Sequence, residues 1–452
     1  MQTLKRVLGI AALFFTTAQA ADTAFINVNV VPMTEEVVHV SQTVVVSDGR
    51  ITAIGDVDVT EIPDGAAVVD GTDRYVMPGL AEMHAHVPAA DSPDLERVLN
   101  LFIANGVTQV RGMLGEPGHL ELREKLAAGD LTGPALYTSG PSFNGRSVSD
   151  PKQAAAMVHE QHAAGYDFLK VHPGLTRAEF TAMVVAANDL GIRFAGHVPD
   201  DVGVPLALEL GISTIDHLDG YMPELIAARQ DPTGGVGGFF GVSLAGIADP
   251  GRIPAIADAT LEAGTWNVPT QSLFVQVVDR TSAGVAANRP EMKYMPEATV
   301  GRWIDAQREI SADLDPGVAS RAIELRKKLI LELQQRGAGL LLGSDAPQIF
   351  NVPGFSIHHE LRYLVDAGLS PYEALLSGTV NTARWFGTEP ESGTVEVGKR
   401  ADLVVLDDNP LADIGNSRRV HGVMLRGRWL GRPELDALLR RYERAASPAS
   451  SR

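Results

Sequence analysis

The chain contains no cysteine. That excludes disulfides, a lipid carried on cysteine and thiolate metal sites, so any metal must be held by nitrogen and oxygen donors. Basic residues are also in short supply: 38 Lys and Arg against 56 Asp and Glu give a formal net charge of -18. Neutralising phosphates takes clustered cations, so the composition argues against a nucleic-acid surface. The same acidity fits a soluble protein that avoids anionic membranes. After the N-terminus there is no apolar run long enough to cross a bilayer.

The N-terminus itself is informative. Lys5 and Arg6 precede an apolar run from Val7 to Phe15, and Thr16-Thr17-Ala18-Gln19-Ala20 follows, with small residues at Ala18 and Ala20. This is the layout of a secretory signal peptide over 1–20, too short for a comfortable membrane span, with an uncleaved anchor as the rival reading. It predicts a mature chain starting near Ala21 and exported, either to a periplasm or outside the cell.

The length, 452 residues with 45% hydrophobic, fits one large domain plus a smaller one. From 21 to 74 the pattern is short alternating strands (25–30, 42–46, 50–55) separated by Gly and Asp turns, and a matching stretch returns over 390–433. Neither end suffices alone, so the two are expected to pair into one small β-sandwich domain. Between them, over 75–389, short apolar runs alternate with helical stretches such as 94–105 and 177–190. The predicted strands are 75–83, 107–111, 135–138, 167–171, 193–196, 213–216, 265–269 and 339–343. Eight strand–helix repeats predict an α/β fold, a (β/α)8 TIM barrel. The long interval 271–335 must carry extra helices, as a lid or an oligomer contact, and 434–452 reads as a C-terminal helix and tail.

The ionisable residues fall at the ends of those strands. His84 and His86 follow the first, Lys170 ends the fourth, and His197, His217 and Asp345 end the fifth, sixth and eighth. In a barrel of parallel strands these ends open on one face. Each residue alone has a bland explanation: a hydrogen-bonded histidine, a helix cap at Asp345, a snorkelling Lys170. Their joint convergence favours a metal site. His84 and His86, two apart on an extended segment, point the same way. His159 and His162 read as a solvated helix face, and His39 and His421 as part of the small β domain. His172, two residues past Lys170, is placed at the rim. His119 and His359 are left open between structure and site, and so is His358, which is also a candidate substrate contact.

These residues stand in motifs: Met77-Pro78-Gly79-Leu80-Ala81-Glu82-Met83-His84-Ala85-His86, Asp167-Phe168-Leu169-Lys170-Val171, Gly196-His197-Val198-Pro199, Thr214-Ile215-Asp216-His217-Leu218-Asp219-Gly220 and Gly343-Ser344-Asp345-Ala346. In order and placement they resemble the amidohydrolase superfamily, in its imidazolonepropionase-like and Xaa-Pro dipeptidase-like branch. The resemblance implies two divalent ions, zinc as the usual metal. One would be held by His84, His86 and Asp345, the other by His197 and His217, with Lys170 bridging them as a CO2-derived carbamate. It also implies attack on a scissile carbonyl by a water shared between the metals, with Asp345 as general base and then acid. Dipeptidases of this branch often carry a histidine after the third strand to steady the oxyanion. Here 137–146 has none, leaving Asn144, Arg146 and, elsewhere, Tyr221 as candidates for substrate or oxyanion contact. The expected activity is cleavage of an amide or peptide-like C–N bond in a small molecule or dipeptide. The rivals are a cyclic amide or lactone hydrolase with the same centre, and a non-catalytic metal- or solute-binding protein.

Overall fold

The computed structural model describes residues 22–226 and 237–444. The signal segment predicted over 1–20 lies outside the described residues. The strands in chain order are β1 (Thr23–Val30), β2 (His39–Ser47), β3 (Arg50–Asp56), β4 (Ala67–Asp70), β5 (Tyr75–Pro78), β6 (Leu80–Ala85), β7 (Val107–Gly112) and β8 (Ala135–Thr138). They continue as β9 (Leu169–Val171), β10 (Phe194–Gly196), β11 (Thr214–Asp216), β12 (Trp266–Val268), β13 (Leu403–Leu406), β14 (Val420–Leu425) and β15 (Arg428–Gly431).

The two chain ends share one eight-stranded sheet, in the order β15-β14-β13-β5-β1-β2-β3 with β4 also on β1. Pairing of β13 with β5 stitches the C-terminal strands to the N-terminal ones, Val404 opposite Met77 and Val405 opposite Val76. The sheet folds over its own core. Phe25 on β1 and Trp429 on β15 are four strands apart, roughly 19 Å in a flat sheet. Their rings nevertheless meet edge-on at 5.0 Å. The enclosed side chains, among them Val28, Val44, Ile51, Val76, Leu403 and Met424, form a hydrophobic core of their own.

The middle of the chain is parallel α/β. One sheet runs β6-β7-β8 and another β12-β11-β10-β9. Backbone bonds link them on one side, where Phe143 N–H donates to the Lys170 carbonyl at 2.8 Å. On the other side, Leu341 N–H donates to the Asn267 carbonyl and Met83 N–H to the Leu342 carbonyl, both at 2.8 Å. The predicted eighth strand is therefore present as extended backbone between β12 and β6, but only Leu340 forms a regular bridge, to Asn267. Its ladder is interrupted because Leu342 N–H turns to the Ser377 carbonyl and Ser344 N–H to the Glu82 carboxyl.

Helices fill the intervals. Helix Leu95–Ala104 follows β6 and helix Arg177–Leu190 follows β9, the latter opened by a Thr176–Glu179 capping box. The 271–335 interval carries four α-helices, Gln271–Val278, Arg280–Ala287, Glu297–Ser311 and Pro316–Arg336. Among the described residues no helix is long and apolar enough to cross a membrane.

Candidate metal centre

Alternation along the short strands decides what faces the site. In β11, Ile215 points outward to the helices, while Thr214 and Asp216 point inward with Lys170 of β9 and Arg111 of β7. Arg111, wholly buried, donates to Thr214 Oγ1 at 3.2 Å and to both Asp216 oxygens at 3.0 and 3.2 Å. Burial works to raise the Asp216 pKa, but Arg111 and Lys170 outweigh it and hold the carboxyl below its ordinary value.

The predicted ligands come together above this layer. His84, His217 and Asp345 each place a donor atom within 4.8 Å of the others. His86 Nε2 lies 2.9 Å from Asp345 Oδ1 and His84 Nε2 3.7 Å from the same atom. The His197 ring sits 4.7 Å from that of His217, and His84 and His217 are 4.4 Å apart. Three ligands are braced through their Nδ1 side: His84 lies 3.0 Å from Asp216 Oδ2, His197 bonds Asp219 at 2.9 Å, and His217 bonds Thr270 Oγ1 at 2.8 Å. Bracing on Nδ1 leaves Nε2 for a metal, which is how metal-binding imidazoles are commonly oriented. Burial above all holds His84 and His217 well below the ordinary histidine range, so both are neutral and able to ligate.

The backbone here is strained. His217 and Asp345 sit at φ of 63° and 66°, and Leu218 and Thr270 are also left-handed. For non-glycine residues this costs energy and persists only where surroundings enforce it. One enforcer is Arg326, buried in helix Pro316–Arg336, which donates to the carbonyls of His217 at 2.6 Å and Pro269 at 2.7 Å. Another is Glu82, whose carboxyl accepts from the N–H of Ser344 and of His84 at 2.7 and 3.1 Å.

Whether this set fits metal ions can be judged from its orphaned atoms. Lys170 Nζ and Asp345 Oδ1 are buried and without an aligned hydrogen bond. Leaving such groups unsatisfied costs about 1–3 kcal/mol each, more when charged, so two in one place require something to satisfy them. Lys170 is completely buried, its nearest carboxylate oxygen 3.9 Å away on Asp216, and burial pulls its pKa down to about 8. The donor set, imidazole nitrogens and a carboxylate with no thiol, suits zinc and similar divalent ions.

Other expectations are corrected. Tyr221 is fully buried behind β11, its hydroxyl spent on Asn267 Oδ1 at 2.9 Å and Thr260 Oγ1 at 3.0 Å, so it is a packing residue and not an oxyanion donor. His358 points away, one ring nitrogen on Ser417 and the other on the Asn105 carbonyl, both at 3.0 Å. Asn144 builds its own loop, donating to Ser142 and accepting from Arg146 N–H and Ser147 N–H. Arg146 is exposed on that loop. His119 is buried against the Pro88 carbonyl, His359 pairs with Glu291, and His159 and His162 are exposed on helix Pro151–Ala164.

Arg111, Asp216, Asp219, Thr270, Arg326 and Phe240 also belong to the site, beyond the residues that the sequence motifs single out as ligands. Asp216 and Asp219 stood within a quoted motif, and alternation along 214–216 was the available signal. Phe240 stacks almost parallel on His217, at 4.7 Å and 11°, and flanks His197 at 6.0 Å. His172 stacks on the other side of His197, at 5.1 Å and 29°. Burial, then Lys170 and His197, pushes its pKa down to about 2, so its imidazole is neutral.

The profile of the amidohydrolase family matches residues 75–430. An imidazolonepropionase of Maricaulis maris is 26% identical over 85% of this chain and 92% of its own length. An enamidase of Eubacterium barkeri is 23% identical over 83% of each. An adenine deaminase of a Ruegeria species is 24% identical over 81% of this chain but 51% of its own length, so the chain spans about half of that relative. Among solved structures, a bottromycin amidohydrolase aligns at TM-score 0.69 and 24% identity, covering 94% of this chain and 91% of the other. A Xaa-Pro dipeptidase with bound methionine aligns at TM-score 0.67 and 20% identity, covering 91% and 100%. At these identities the structural likeness is one of fold.

Proposed function

We propose, on the premise that this chain belongs to the amidohydrolase family and is thereby a hydrolase acting on carbon–nitrogen bonds, that it is an exported binuclear enzyme cleaving an amide or peptide-like bond in a small molecule or dipeptide. The observation that carries this reading is the convergence of His84, His86, His197, His217 and Asp345 around the orphaned amine of Lys170. The eight parallel segments are read as one (β/α)8 barrel, a reading supported by the backbone bonds that join each to the next. The ligand ends then share one face.

His84, His86 and Asp345 would hold one ion and His197 and His217 the other. Lys170 would bridge them. Its pKa near 8 leaves a fraction of free amine at neutral pH, and that nitrogen adds to the carbon of CO2. The N–C bond forms, one C=O pair moves onto oxygen and the nitrogen loses a proton. A buried cation thus becomes an anion with two oxygen donors. When bound, two divalent ions supply Lewis acidity toward a carbonyl and toward water. Asp345, its Oδ1 free of an aligned partner, takes the proton from the attacking water and delivers it to the departing nitrogen. The braced imidazoles hold their rings still, and Phe240 against His217 keeps one side of the centre apolar.

The test is a panel of dipeptides, N-acyl amino acids, cyclic amides and lactones, run on protein of known metal content. Turnover of linear amides or dipeptides supports the reading. Turnover confined to cyclic amides or lactones moves the assignment to those substrates. Inertness at full metal loading leaves a binding protein.

A further inference from the structure

An amide hydrolase must steady the negative charge that grows on the carbonyl oxygen, which takes a fixed donor aimed at that oxygen. Tyr221 and Asn144, two of the expected donors, are engaged elsewhere. We infer that His172 is the protein donor to the substrate carbonyl, a role that rests on the hydrolase reading above.

Geometry carries the inference. His172 follows β9 directly, two residues past Lys170, on the face where the ligands converge. Its backbone is pinned: its N–H donates to the Phe143 carbonyl at 2.8 Å, and Phe143 N–H donates to the Lys170 carbonyl at 2.8 Å. The ring is half-buried and lies 5.1 Å from the ring of His197. Among the described residues, neither of its ring nitrogens has a hydrogen-bond partner, whereas His84, His197 and His217 are all braced. An imidazole ring carries at least one N–H donor, so it forms a hydrogen bond to the oxyanion and no bond is made or broken at the ring. It has no side-chain brace of the kind that orients His84, His197 and His217, which suits a residue whose partner is the substrate.

The experiment compares wild type with His172→Ala and His172→Gln. Three quantities are read: metal content, the split between kcat and KM on the best panel substrate, and affinity for N-methylphosphonyl-L-proline, whose tetrahedral anionic phosphorus imitates the charged intermediate. Loss of one oxyanion donor is expected to lower kcat by roughly 10²–10³-fold. KM should change little, metal content should stay at the wild-type value and phosphonate affinity should fall along with kcat, with His172→Gln recovering part of both. Unchanged kcat and phosphonate affinity in His172→Ala overturn the assignment. So does loss of a metal ion, which would make His172 a ligand. A metal-loaded wild type that is inert to the whole panel defeats the hydrolase reading instead. Phosphonate binding then decides His172 alone, and affinity that does not depend on His172 overturns it.

Discussion

Glu82 is a carboxyl placed inside a parallel strand, and its surroundings decide its charge. Burial raises its pKa to about 8, against the pull of the Ser344 and His84 bonds, so it is the neutral acid at neutral pH. One carboxyl oxygen accepts from Ser344 N–H and His84 N–H, and the other is paired with Ser344 Oγ, a hydroxyl that donates here and can equally accept. Glu82 thereby ties the first ligand strand to the residue before Asp345. Glutamine can copy that pattern and alanine cannot. Glu82→Gln is expected to hold stability within about 1 kcal/mol, and Glu82→Ala to cost about 2–4 kcal/mol by leaving buried donors unmet. Denaturant unfolding measures both, and equal losses in the two variants would contradict the neutral-acid account. Asp216 makes a sharper case, because its removal strands the buried Arg111 guanidinium. Asp216→Ala is expected to cost roughly 3–5 kcal/mol in the same measurement. At this scale the sequence was most legible where chemistry was local. His84 and His86 declare themselves by spacing, whereas the Asp216–Arg111 pair spans 105 positions and depends on which face of two short strands looks inward.

Helix Pro316–Arg336 shows what an element adds. The interval that holds it was expected to carry helices serving as a lid or an oligomer contact. The helices are there, and this one braces the backbone of the candidate metal centre. Arg326 reaches from it to the His217 and Pro269 carbonyls and to Gln271 Oε1. Burial lowers its pKa to about 9, so it is charged at neutral pH, with Glu360 nearby accepting from Gln271 N–H and Ser272 N–H. Replacing Arg326 with methionine keeps the packing volume but leaves those carbonyls without donors. The expected results are a loss of roughly 3–5 kcal/mol and weaker retention of the ion at His217, read by unfolding and by metal content after dialysis against a chelator. Retention equal to wild type would show that the helix is not a brace. The strand-to-helix rhythm was readable from periodicity. The long-range contact was not, because 109 positions separate Arg326 from His217 and nothing in the helix's own pattern marks that residue. Tyr221 departs from expectation for a related reason. Four positions after His217 in sequence, it stands at the start of a short helix and turns into the core.

For the molecule as a whole, the parallel strands bring six side chains together from distant positions, and the buried amine of Lys170 is one of them. That amine links the centre to pH. Its folded pKa, about 8, lies below the ordinary lysine value near ~10.4, so between these two the unfolded chain binds more protons than the folded one. The stability of the metal-free protein should therefore rise as pH climbs from about 8 toward 10, as read by denaturant unfolding of the chelator-treated protein across that range. Export is tested by sequencing the N-terminus of the mature protein, expected at Ala21. The central claim, a two-ion centre bridged through a modified Lys170, is most directly tested by elemental analysis together with intact and peptide mass measurement. The expected result is about two zinc-like ions per chain and a CO2 adduct on Lys170 that is lost with the metal. A single ion beside an unmodified Lys170 would contradict it.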